Sequence, residues 1–248
     1  MTGADVPAAR VPQQEREGRS STMPQSRPQV LVFDVNETLS DLTPLRHRFE
    51  ETGASADLLP LWFAGILRDG FALTAAGGPA DFSTLAADSL RWLLTGTLGP
   101  TAAEEAARHI VAGFAELDVH PDVVAGVRSL RSAGHRLVTM TNGSAALSEK
   151  LLTRAGIRDC FEALLDVTGP GCWKPDPRAY HYAVERCGVG PEQAMLVAVH
   201  PWDIDGAQRA GLSGAWLRRG VPDTAYPRSL TSPTLAADDL TELARLLG

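Results

Sequence analysis

Residues 31–42 read LVFDVNETLSDL. Three apolar residues run straight into an acid and then into a polar turn, and an aspartate at the end of a buried strand needs either a partner or a task. Similar short apolar runs recur as VLVF at 30–33, RLVTM at 136–140 and MLVAV at 195–199, each followed by a polar turn and a helix-like segment. That alternation predicts a parallel α/β sheet. The intervening helices are legible too. DVVAGVRSLRSAG sets Val124, Val127 and Leu130 at helical spacing before Gly134, and SAALSEKLLTRAG repeats the device, ending at Gly156. In an open parallel sheet, chemistry collects at the carboxyl ends of the strands, so Asp34, Thr141, Asn142 and His200 are expected in one crevice.

The stretch 43–119 breaks this rhythm. LRHRFEETG, LLPLWFAGILRDGFALTAAG, DFSTLAADSLRWLLTGTLG and AAEEAARHIVAGFAEL read as successive amphipathic helices, which predicts an all-helical cap inserted after the first strand. The expected organisation is a disordered tail over 1–28, a Rossmann-like parallel-sheet core over 29–42 and 120–248, and the cap over 43–119. Trp62, Phe71 and Trp92 are expected in the cap core. The acidic stretch AADDLTELARLLG at the end is expected as a solvated helix.

A chain of 248 residues with net charge -7 can bury a large core and is poorly suited to nonspecific contact with nucleic acid or an anionic membrane. A small polar substrate fits better. Cys160, Cys172 and Cys187 show no C-x-x-C spacing and too low a density for a disulfide scaffold, which points to a reducing, cytoplasmic setting. Residues 1–28 lack the apolar stretch of a signal peptide, and no later stretch approaches the length of uninterrupted apolar sequence that a transmembrane helix needs.

Four clusters stand in order: Asp34 to Thr38, Thr141-Asn142-Gly143, Lys174-Pro175, and Asp203 within VAVHPWDIDGA. Over roughly residues 29–220 the chain resembles the haloacid dehalogenase superfamily. FDVNETL, TNGS, WKPDPRAY and PWDIDGA look most like its L-2-haloacid dehalogenase (type II) branch. The superfamily's phosphatases place an acid two residues after the nucleophile to protonate a leaving alkoxide, and use Mg2+ on the phosphoryl group. Here that residue is Asn36, which never ionises. Losing a general acid costs about 10²–10⁴ in rate, whereas a halide needs no proton to leave. The phosphatase pattern also wants an acid where Val199 stands, and valine offers Mg2+ only its backbone.

The resemblance therefore implies a metal-independent hydrolase that uses no cofactor and acts on a short 2-halocarboxylate through an aspartyl ester. It makes Asp34 the nucleophile, Lys174 its cationic partner, Thr38 a hydroxyl donor and Asp203 the residue that orients Lys174. Thr141, Asn142, Asn36 and Tyr180 fall on positions that bind substrate or fix the site. Two positions depart from the branch. The cap arginine that grips the halide aligns with Phe63; Arg68 lies five residues further along the helix, well off the same face, which leaves Asn142 and the aromatic edges of Trp62, Phe63 or Trp202 for that task. The serine and asparagine that hold the hydrolytic water read Ala198 and His200. An imidazole titrates near neutrality, so His200 is the candidate base. Members of the branch often form homodimers. A Mg2+-dependent phosphatase and a catalytically inactive binding protein of the same fold stay open as alternatives.

Overall fold

The computed structural model describes residues 27–79 and 81–248, so the tail expected at 1–28 lies, for residues 1–26, outside the described residues. Six parallel strands form one sheet in the order β3-β2-β1-β4-β5-β6. They are β1 (Val30–Phe33), β2 (Arg136–Thr141), β3 (Phe161–Asp166), β4 (Ala194–Ala198), β5 (Ser213–Leu217) and β6 (Leu235–Ala237). The first strand is central and pairs with β2 on one side and β4 on the other. Its unbroken apolar sequence follows from that place, because both faces of the sheet are covered. Val30 and Val32 pack with Tyr180, Leu196 and Ile204, while Leu31 and Phe33 pack with Val127, Leu137 and Leu243.

Between β1 and β2 the described residues form α1 (Leu45–Glu51), α2 (Leu58–Ala76), α3 (Phe82–Leu98) and α4 (Pro100–Ala112), and then α5 (Val123–Ser132) leads into β2. The remaining helices are α6 (Ala145–Arg154), α7 (Pro177–Cys187), α8 (Pro201–Arg209) and α9 (Leu240–Leu247). An aromatic chain holds the helical segment together, from Phe49 to Trp62 (5.5 Å between ring centres), Phe114 (5.7 Å) and Phe82 (5.3 Å). It ends on Trp173, whose ring stacks on Phe82 at 6.0 Å beside Lys174. Gly70 of α2 allows this docking. A Cβ there would lie 2.3 Å from the Trp173 ring.

Some expectations are corrected. Trp92 is 78% exposed and takes no part in the core of the helical segment. By length and composition alone, with a mean hydropathy of 1.2, α2 could match a membrane span, though its apolar sequence is interrupted well short of that length. It carries Arg68 and Asp69 and buries Trp62, Phe63 and Ile66 within the fold. The last helix is not merely solvated either. Leu240, Leu243 and Ala244 are buried on it, and Asp239 caps it by accepting from the Glu242 amide.

Candidate active site

The chain reversal after β1 builds the site. The Asp34 amide still donates to the Val197 carbonyl (3.1 Å), so the sheet's own pairing fixes the acid at the carboxyl edge. Its side chain is buried between two donors. Thr38 gives its hydroxyl to Oδ2 at 2.7 Å, and the Lys174 ammonium reaches Oδ1 at 3.0 Å. The Thr38 oxygen in turn accepts from the Val199 amide at 3.1 Å, which ties the turn to the end of β4.

Lys174 is 0% exposed and also meets Asp203 Oδ2 at 2.5 Å. Asp203, in the first turn of α8, accepts the Tyr180 hydroxyl on its other oxygen at 2.6 Å. Gly206 makes room for this meeting, since a Cβ there would sit 2.6 Å from both the Tyr180 hydroxyl and Pro175. Asn142 clamps the backbone of Lys174 from both sides, its oxygen accepting from the Lys174 amide (2.9 Å) and its nitrogen donating to the carbonyl (3.1 Å). The Thr141 hydroxyl accepts from the Gly143 amide at 2.9 Å and shapes the turn into α6.

The electrostatics follow from burial and one cation. Burial favours the neutral form of Asp34, but the Lys174 and His200 charges and the Thr38 hydroxyl overcome it and hold the carboxyl below its ordinary value. Burial likewise opposes the Lys174 charge, yet Asp203 and Asp34 together push the ammonium above its usual range. At Asp203, burial and the second carboxylate win and the group titrates higher than usual. Burial and Asp203 keep the Tyr180 phenol protonated far above neutrality, so it remains a donor.

On the open side, the His200 ring lies between Phe63 (6.2 Å, 25°) and Trp202 (5.3 Å, 16°). Phe71 meets Trp202 edge-on at 4.9 Å. The His200 Nε2 is 3.8 Å from Asp34 Oδ2 and 3.6 Å from Glu37 Oε2. Asn36 is half-buried over the turn at Gly143, where an added Cβ would come 3.2 Å from its amide nitrogen.

A family profile described as haloacid dehalogenase-like hydrolase matches residues 28–211. The chain belongs to the haloacid dehalogenase-like hydrolases. Among relatives of this family, (S)-2-haloacid dehalogenase 1 of Pseudomonas sp. (strain CBS-3) is 27% identical over 87% of this chain and 95% of its own. Haloacetate dehalogenase H-2 of Moraxella sp. (strain B) is 26% identical over 77% and 86%. A solved dehalogenase with an intermediate complex superposes with a TM-score of 0.81 at 26% identity, covering 89% of this chain and 97% of its own. A solved L-2-haloacid dehalogenase gives the same TM-score and identity over 90% and 99%.

Within this haloacid dehalogenase-like site, the structure joins Asp34, Thr38, Lys174, Asp203 and Tyr180 in one hydrogen-bonded cluster, with His200, Phe63 and Trp202 facing it. Arg68 is not among them. It turns outward and pairs through two nitrogens with Asp69. The sequence reading passed over Glu37, whose only signal was an acid in a turn beside the nucleophile. His120, which has no ligand-like spacing in the sequence and reads there as a surface or packing residue, donates to the Glu37 carbonyl at 3.0 Å.

Proposed function

We propose that this protein hydrolyses the carbon–halogen bond of a short 2-haloalkanoic acid, giving the 2-hydroxy acid through a covalent ester on Asp34. The observation that carries the reading is the buried ammonium of Lys174 lying between Asp34 and Asp203. It keeps the Asp34 carboxylate ionised and oriented for attack on the carbon bearing the halogen, and the halide leaves with the bonding electrons and needs no proton. Relatives named as (S)-2-haloacid and haloacetate dehalogenases support the same chemistry.

The donor set does not fit a magnesium ion. Lys174 already bridges the two carboxylates, Asn36 replaces the acid, and Val199 brings no side-chain oxygen. Its amide donates to Thr38 and its carbonyl accepts from Trp216 Nε1 at 3.0 Å. The helical segment 43–119 serves as a cap in this reading, because Phe63 and Phe71 from α2 wall the His200 and Trp202 side of the site. His200 is the base that draws a proton from the water attacking the ester at the Asp34 carboxyl carbon, since its Nε2 is the imidazole nitrogen nearest that group. The three free thiols are consistent with a cytoplasmic home.

The test is halide release from chloroacetate, fluoroacetate and both enantiomers of 2-chloropropionate, with and without EDTA. Release that ignores EDTA and is lost in Asp34→Asn is the expected result. No halide from any of these acids would remove the reading. In His200→Ala the ester is expected to accumulate, visible as a mass increase on the Asp34 peptide after brief exposure to substrate. A substrate-treated variant without that adduct would take the base role from His200.

A further inference from the structure

Hydrolysis through an ester leaves a proton to dispose of, and the following inference rests on the reading above. The attacking water brings two protons. As its oxygen bonds to the Asp34 carboxyl carbon and the carbon–oxygen bond to the substrate breaks, one proton ends on the departing alkoxide, which becomes the product hydroxyl. The other remains on the regenerated Asp34 carboxyl or on His200 and must reach solvent before the next cycle.

His200 has little direct contact with solvent. Its side chain is only 14% exposed, and its ring stacks against Phe63 and Trp202. The edge carrying Nε2 faces two carboxylates, Asp34 at 3.8 Å and Glu37 at 3.6 Å. Both distances are within a modest approach of hydrogen-bond contact. Unlike His200, Glu37 is open on its far side, with a side chain 42% exposed. It lines a cavity of about 490 Å³ shared with Leu59, His120, Pro201, Trp216 and Val221, the last of them 45% exposed.

The backbone is built to put Glu37 there. Its φ is +61°, a left-handed conformation that costs a non-glycine residue about 1 kcal/mol or more. Two donors hold the turn in that shape: His120 on the Glu37 carbonyl, and Arg219 on the neighbouring Thr38 carbonyl at 2.7 Å. Glycine would satisfy the conformation without strain but would carry no carboxylate.

We propose that Glu37 is the proton relay of the hydrolytic half-reaction, taking the surplus proton from His200 Nε2 and passing it to water in the adjoining cavity. The N–H bond of His200 breaks, an O–H bond forms on Glu37, and that proton then leaves to solvent, so both groups are reset. Burial raises the Glu37 carboxyl, opposed by His200 and reinforced by Asp34. Asp41, Arg46, His120, Arg218 and Arg219 are the other charged or titratable groups around the same cavity.

The experiment compares wild type with Glu37→Gln in single and multiple turnovers of a 2-chloropropionate enantiomer that wild type dechlorinates, in weak and in strong imidazole buffer. The expected result is a halide burst of full amplitude from Glu37→Gln, followed by steady turnover at least about tenfold slower. That turnover recovers as buffer concentration rises, while wild type ignores it. Glu37→Asp, which keeps a carboxylate, is expected to turn over without help from buffer and serves if Glu37→Gln does not fold. Steady turnover of Glu37→Gln at the wild-type rate, or a slow rate that buffer does not change, would overturn the relay, as would a buffer requirement in Glu37→Asp. Wild type that releases no halide from any acid would instead overturn the dehalogenase reading, and the relay with it.

Discussion

At Lys174 one fully buried ammonium faces two carboxylates, so removing its charge exposes what it does for each. Lys174→Met leaves Asp34 and Asp203 buried without a counter-charge, and is expected to cost about 3–5 kcal/mol in urea unfolding. In any folded fraction, burial of Asp34 is then opposed only by His200 and the Thr38 hydroxyl, so its carboxyl rises and the acid limb of halide release moves to higher pH. Adding Asp203→Leu is expected to recover stability without recovering activity. The pair Asp34 and Lys174 was legible in sequence only as ordered motifs, because 140 positions separate them. Glu37 was not legible, because what makes it useful is a backbone angle and the side chain it faces, and neither leaves a periodic mark.

Among the elements, the buried strands β1, β2 and β4 were plain, as continuous apolar runs flanked by turns. By contrast β3 (FEALLD) and β5 (SGAWL) escaped notice, since a polar or small residue interrupts each and their pairing supplies what their composition does not. Two glycines show how packing overrides local preference. Gly96 in α3 has open space where a Cβ would go, so Gly96→Ala is expected to stabilise by about 0.5–1 kcal/mol through helix propensity alone. Gly70→Ala carries the same helix gain but drives a methyl group into Trp173. It is expected to destabilise by about 1–3 kcal/mol and to slow halide release through the neighbouring Lys174. Urea midpoints for the two variants, read against wild type, give the signs.

Across the whole molecule, the acid limit of stability depends on carboxylates that tie elements together. Asp205 on α8 accepts from Arg209 Nε at 2.8 Å and from the amide and hydroxyl of Thr231 at 2.8 and 2.6 Å. Arg209 and the Thr231 donors, against burial, lower its carboxyl from 3.8 to about 2. A depressed folded pKa contributes stability that is complete above the ordinary value and lost as pH falls through the folded one. Asp205→Asn is therefore expected to lower the unfolding midpoint near neutral pH, with a deficit that shrinks as pH drops from about 3.8 toward about 2. A deficit independent of pH across that window would assign the effect to packing.

The sequence by itself determined the parallel α/β core, the helical insertion and the identity of the acid that ends the first strand. Each is written in local pattern: apolar runs, helical spacing, and a charge where burial forbids an idle one. Only the tertiary structure decided that Asn142 holds the Lys174 backbone, that Arg68 faces solvent, that α9 packs one face, and that Glu37 meets His200. Those facts depend on where distant segments meet and which way a side chain turns. Summed burial and chain closure fix such contacts over the whole fold, and no window of neighbouring residues contains them.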